Sequence, residues 1–456
     1  MKKINPYSTL PKLTLALSLI FITGFVQKSN AQEIITIQQA IEETLHNNLQ
    51  VKKSQLSENL ADEDLKQSKL ALYPSLNGQA QQNMGWGRNS FGSTGIYENT
   101  QNYRLDPSLN LSVDLFNGFL KINQIKQNKL LLDAGKANTD KVKNDLILQV
   151  ITSYLEILYN KDRLSAAKQQ LSVAQQQLKQ QQELLDVGNK TLADLSEAKA
   201  QVATADLDVT TAENALTISY ITLAQLMDIP SSTRYDVQAP VLSAFNKPST
   251  AYNAEDVYSE SLNLFPDIKL AGLQTQAAKR GVQVAKGNLY PSLSLGASYG
   301  TSYIYSYNLE PPQFNDTFGS QLKNNVSKGV GMTLRIPIFN GLQARTNVNK
   351  ARINLLQTQA DEQLAKNNLN KIIYQAVADL KAAGSTYEST TNTFNARKEA
   401  FSVIEQRYNV GLVNSLDYNT SLTNKNKAEI DMIRAKYDLL FKAKVIDYYL
   451  GKQIVF

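Results

Sequence analysis

Residues 289–300 read Leu-Tyr-Pro-Ser-Leu-Ser-Leu-Gly-Ala-Ser-Tyr-Gly, and the alternation inside them governs how the rest of the chain is read. From Leu293 the larger side chains take odd positions: Leu293, Leu295, Ala297 and Tyr299, then Tyr303, Tyr305 and Tyr307. Ser294, Gly296, Ser298 and Gly300 take the even ones. Val330, Met332, Leu334, Ile336 and Ile338 alternate in the same way with Gly331, Thr333, Arg335 and Pro337. Leu109, Leu111, Val113 and Leu115 alternate with Asn110, Ser112 and Asp114. A weaker stretch puts Leu76, Ala80, Met84 and Trp86 on one face, interrupted by Gly78 and Gln82. Period-two patterning of this kind predicts β-strands with one apolar and one wet face.

A sheet packed on a protein core would show the same alternation. Two features favour hydrocarbon instead. The strands run 10 to 15 residues, near the length of a tilted membrane strand. Trp86, Tyr299, Tyr303 and Tyr305 gather at one end, as in an interfacial aromatic girdle. Leu109, Leu111, Val113, Leu115, Leu293, Leu295, Val330, Met332, Leu334 and Ile336 would then meet lipid. The polar stretches 87–104 and 308–327 read as loops. Four strands cannot close a barrel, and an open edge in lipid is prohibitive, so several chains must share one barrel.

Outward from these strands the chain repeats itself. Leu72-Tyr73-Pro74-Ser75-Leu76 returns as Leu289-Tyr290-Pro291-Ser292-Leu293. Leu115-Phe116-Asn117-Gly118 returns as Ile338-Phe339-Asn340-Gly341, and Asp186-Val187-Gly188 as Asn409-Val410-Gly411. Anchors kept in one order predict a tandem duplication. One repeat covers 32–228 with its strand pair at about 73–116, and the other covers 254–456 with its pair at about 290–339. The proline-bearing segment 229–253 reads as a linker. Each repeat predicts a helix (32–72, 254–289), the strand pair, a very long helix, a glycine turn and a further long helix. Leu195, Ala198, Val202, Ala205, Val209, Ala212 and Leu216 step by three and four, a heptad stripe. Tyr387, Phe394, Phe401 and Tyr408 fall seven apart. The glutamine-rich segment 169–182 keeps Leu171, Ala174 and Leu178 on the helical stripe and reads as a solvated face.

The first 31 residues carry Lys2, Lys3 and Lys12, then the apolar run 13–26, then Ser29-Asn30-Ala31. This predicts a secretory signal peptide cleaved after about Ala31. Residue 32 is Gln, so a lipid anchor on cysteine is not expected. The whole chain holds 47 basic and 41 acidic side chains; losing the leader's four Lys leaves 43 against 41, a net of +2. That balance argues against nucleic acid. With no Cys and His46 alone, thiolate chemistry, multi-histidine metal sites and His-based triads are excluded within one chain. No cofactor or metal site is expected, and scattered carboxylates such as Asp62-Glu63-Asp64 give an enzyme reading little support. No later segment offers 18 consecutive apolar residues, so no transmembrane helix is expected.

Together the leader, the duplicated strand pairs and long helices, the Leu-Tyr-Pro-Ser-Leu and Phe-Asn-Gly signatures and the Val-Gly turns resemble the TolC-like outer membrane efflux proteins. The resemblance spans essentially the whole chain after the leader. It implies a mainly α fold with membrane β-structure, in which long helical hairpins form a periplasmic α-barrel. It implies a homotrimer whose chains give four strands each to one 12-stranded β-barrel. It implies a passive exit duct of a tripartite efflux pump or type I secretion system. Its partners would be a periplasmic adaptor and, through it, an inner-membrane transporter. Adaptor contact would involve the glycine turns, Val187 and Gly188 in one repeat and Val410, Gly411 and Leu412 in the other. A constriction would be formed by acids six and nine positions after the glycine. Asp417 holds the first place and Thr420 the second, while Asp194 and Glu197 correspond in the first repeat. The competing reading is an exported soluble helical scaffold or adhesin whose sheet faces water.

Overall fold

In the computed structural model the described residues are 33–91, 96–232, 235–239, 252–307 and 316–452. The leader expected over 1–31 and residues 240–251 of the linker lie outside them. The elements in chain order are β1 (Glu33–Ile35), α1 (Ile37–Asn47), α2 (Leu49–Leu70), β2 (Ser75–Phe91), β3 (Ile96–Asn117), α3 (Leu120–Asp186), α4 (Leu192–Met227) and β4 (Tyr235–Val237). They continue as α5 (Ala254–Leu264), α6 (Pro266–Gly287), β5 (Ser292–Gly300), β6 (Tyr303–Ser306), α7 (Phe318–Asn324), β7 (Ser327–Arg335), α8 (Gln343–Asn409) and α9 (Ser415–Tyr449). Helices and strands follow one another in a similar order in the two halves of the chain. The chain gathers into two compact units, one holding the described residues to Glu42 and those of 153–244, the other those of 43–152 and 245–454.

In the first unit the later part of α3 packs on α4. Ala167, Val209 and Ala212 form a buried cluster flanked by Leu164 and Leu171, and Lys168 pairs with Glu213 at 2.9 Å. Small residues at the seam let the backbones approach closely. The glutamine-rich face departs from expectation. Gln181 is buried, and the side-chain nitrogens of Gln170, Gln177 and Gln181 are buried without a hydrogen-bond partner among the described residues. Positions 170, 174, 177 and 181 continue the three-and-four spacing, which carries the amides into the interior.

The linker also departs from expectation, because β4 lies inside it and pairs in parallel with β1, in a region expected to be helical. Tyr154 explains the clasp: its hydroxyl lies 3.0 Å from the carbonyl of Ile35 and 2.8 Å from that of Gln238. The Asp236 carboxylate accepts from Lys161 at 2.7 Å, from the Tyr220 hydroxyl at 2.6 Å and from the backbone of Val237 at 2.7 Å. Burial would raise this carboxyl, but the three donors outweigh it and hold it below the usual carboxylate range. Burial also pushes the Tyr235 hydroxyl up to about 12.

In the second unit α8 packs on α9 through Ala376, Leu380, Ala383, Leu439, Ala443 and Ile446. At 67 residues and 1.5 Å each, α8 is about 100 Å long. The single helix expected over 254–289 is two, because Pro266 starts α6 where the chain leaves α5 at Phe265. The single helix expected over 32–72 is likewise divided at Asn48, whose side chain caps α2.

The antiparallel sheet of this unit has the order β2-β3-β5-β7, and β6 adds to β3 alongside β5. The strand expected to run through 293–307 is therefore interrupted between Gly300 and Tyr303. Strands β2 and β3 reach 17 and 22 residues, so most of the loop expected over 87–104 is strand. Polar residues dominate that sequence at odd and even positions alike, which erases the alternation that would announce it. The second expected loop contains α7.

Candidate functional site

Pairing fixes which side chains share a face, since directly opposed residues in a sheet point the same way. Leu76, Leu111, Ala297 and Val330 are successive partners across the four strands. Val113, Leu295 and Met332 form a second row, and Leu293 pairs with Leu334 in a third. Leu109 pairs with Tyr299, and Tyr299 with Lys328, whose ammonium lies 5.7 Å from the ring centroid. The polar positions make the opposite face: Ser112, Gly296 and Gly331 are one such row. Leu115 breaks the pattern. The register shifts between Asp114 and Phe116, so Phe116 takes the place opposite Leu293 and Leu115 is the extra residue of a bulge. Sequence parity alone does not reveal a bulge.

This apolar face is uncovered. Val330 is 80% exposed and Leu334 60%; Ile336, expected on the strand, lies past the end of β7 at Arg335 and is exposed, as are Ile338 and Phe339. Strands β2 and β7 are the outer members of the sheet, and each has a partner on one side only among the described residues. Of the expected aromatic group, Trp86, Tyr305, Tyr303 and Tyr299 lie opposite Gln101, Tyr103, Leu105 and Leu109 along β3. Tyr103, which sequence reading passed over, joins them edge-on to Tyr303 at 6.0 Å.

Where sheet gives way to helix, the repeats share a strained device. Gly118 and Phe119 both have φ of 62°, and Gly341 and Leu342 have 61° and 63°. A side chain at Gly118 would also sit 2.4 Å from the Gly287 carbonyl oxygen.

The far ends of the long helices are equally alike. Gly188 has φ of 77° and Gly411 of 78°. Asn189 donates to the Leu184 carbonyl at 2.8 Å, and Leu412 to that of Arg407 at 2.8 Å. Both are Schellman turns, which need a residue at ease with left-handed backbone. Val187, Val410 and Leu412 are exposed at these turns, as are Leu192 and Leu416 just after them.

The acidic candidates separate. Asp194 closes a capping box: its carboxylate accepts from the Thr191 backbone at 3.2 Å and hydroxyl at 2.8 Å, while Thr191 accepts from the Asp194 backbone. Glu197 accepts from Gln201 at 3.2 Å. Asp417 is at the same place in its helix, where its backbone donates to the Asn414 side chain at 2.8 Å and its carboxylate has no partner among the described residues. Asp417 and Thr420 instead line a groove of about 440 Å³ beside the second turn. Next to it Tyr408 stacks on the buried Tyr418 at 4.5 Å, an aromatic seam missed in the sequence because only Tyr408 lies on the seven-residue spacing.

The model of the family described as outer membrane efflux protein matches residues 40–228 and 257–452. The chain belongs to the outer membrane efflux protein family. Among curated proteins it is 20% identical over 424 residues to the outer membrane efflux protein BepC of Brucella suis, an alignment spanning 92% of this chain and 86% of that one. It is 25% identical to the outer membrane protein TolC of Escherichia coli, spanning 99% and 87%. Among solved structures, the Campylobacter jejuni CmeC outer membrane channel superposes with a TM-score of 0.77 at 19% identity, covering 91% of this chain and 85% of that one. The fold is thus that of the TolC-like channels, a helical barrel continued by a β-barrel, and this efflux protein is an outer membrane duct.

Proposed function

We propose that three copies of this efflux protein assemble into a passive conduit that carries cargo across the periplasm and outer membrane, without transforming it. The observation that carries this reading is the open sheet: one face apolar and uncovered, both outer strands lacking an outer neighbour among the described residues. In hydrocarbon an unpaired strand edge costs several kcal/mol per orphaned backbone group, and closure among copies removes every edge. Leu109, Leu111, Val113, Leu293, Leu295, Val330, Met332, Leu334 and Ile336 face lipid, while the serine and glycine rows face the lumen. Leu115 stands in the bulge at the edge of that band. Trp86, Tyr299, Tyr303 and Tyr305 mark an interface.

The helical turns serve as the periplasmic end. Val187, Gly188, Val410, Gly411 and Leu412 contact a periplasmic adaptor, which links the duct to an inner-membrane transporter that supplies the energy of a tripartite pump or type I secretion system. Three copies of Asp417 ring the lumen near this end. Asp194 contributes as a helix cap. The leader is removed after about Ala31.

Fractionation of cells expressing the full chain tests this. Recovery from detergent-extracted outer membrane as a heat-labile assembly of about three times the chain mass is the expected result. Release as a soluble periplasmic protein would identify an exported scaffold and end the duct reading.

A further inference from the structure

We propose that Arg335, one from each of three copies, forms a cationic ring at the base of the barrel lumen that binds carboxylate or phosphate groups of anionic cargo in transit. This rests on the duct reading above and adds a chemical class of cargo. Arg335 ends β7 opposite Ser292, two residues from Thr333 and four from Gly331, on the serine and glycine face. The other charged side chains described on that face are neutralised in pairs. Arg104 holds Asp106 at 2.8 Å, and Asp114 holds Lys121 at 2.8 Å. Arg335 has no ion pair or side-chain hydrogen bond among the described residues.

Closure of the barrel leaves this charge in place. On one side of β7 lies β5, and on the other the β2 strand of a neighbouring copy completes the cylinder. Neither β5 (Ser292–Gly300) nor β2 (Ser75–Phe91) contains an Asp or Glu, so no register of that junction brings an acid to Arg335 from either strand. The chain also holds no acid between Asp316 and Asp361. Twelve strands about 4.8 Å apart and tilted by about 40° give a backbone radius of roughly 12 Å. Charges are screened over about 8 Å at physiological salt, and the arginines reach inward from the wall, so their fields cover the passage. A guanidinium meets a carboxylate or phosphate with two parallel hydrogen bonds, and in a wet lumen such a contact forms and releases readily. The 67 residues of α8, about 100 Å of helix, separate this ring from Asp417.

The test places the purified assembly of the full chain in planar bilayers under a potassium chloride gradient, with citrate added on the barrel side as the probe. Citrate should block the wild-type channel. R335Q should need about tenfold more citrate for the same block and should shift the reversal potential toward cations. R335K keeps the charge but not the fork, so it should hold the reversal potential while weakening the block. S292D sets a carboxylate directly opposite an intact Arg335 and should reproduce R335Q, which frees the test from the folding of one variant. The chain has no Cys, so R335C offers a single thiol, and a cationic methanethiosulfonate reagent should restore the block. Citrate block unchanged in both R335Q and S292D would overturn the proposal and leave the duct reading intact. So would a shifted reversal potential with unchanged block, which would make the arginine a distant charge and not a binding group. An R335C thiol that fails to react in conducting channels would place the side chain outside the lumen and overturn it too. A wild-type assembly that forms no channel would sink the duct reading, and this one with it.

Discussion

Single residues decide the junctions. At Gly118 a left-handed backbone coincides with a close approach to the Gly287 carbonyl, so even a methyl group has no room. Gly118→Ala should lower stability by about 1–3 kcal/mol for the backbone strain alone, with the clash adding to it. The temperature at which the assembly dissociates on a gel reads this out. At Gly341 an added methyl group would meet open space, so Gly341→Ala should lose only the conformational part. Asp236 gives a prediction with a sign. Its carboxyl is held below the ordinary value, so the clasp's contribution is present above the usual carboxylate range and is lost as pH falls through the depressed folded value. Hydrogen exchange of Ile35 and Val237 should therefore quicken below about pH 4. Asp236→Asn should remove that pH dependence. The Asp417 ring predicts that Asp417→Ala raises single-channel conductance or weakens cation preference. An unchanged channel would take Asp417 out of the constriction.

Elements carry the membrane argument. Leu334 and Gly331 sit three residues apart on β7 and belong to opposite faces. Leu334→Arg should impair insertion by about 2–4 kcal/mol near the midplane, whereas Gly331→Ser should be nearly silent. Equal damage in an assembly assay would contradict the assigned faces. The strands also show why alternation is a partial guide. It marks only stretches with unlike faces, so it found β5 and β7 and missed the outer parts of β2 and β3, where polar residues fill both parities. The helices follow a similar rule. Their long stripes announced α3, α4, α8 and α9, and the stripe itself carried Gln181 inside, where composition suggested a wet surface.

For the whole molecule, the prediction is closure. A sheet ending in β2 and β7 is complete only when those edges meet neighbours, so denaturing the assembly by heat should release single chains and abolish channel activity together. The long helices, the alternation along β5 and β7 and the glycine turns were legible in the chain. They arise from side-chain periodicity and backbone permissiveness, which act over a few residues. The β1–β4 clasp and the bulge at Leu115 became visible only in three dimensions. Each depends on partners brought from distant positions in the chain, which no local pattern encodes.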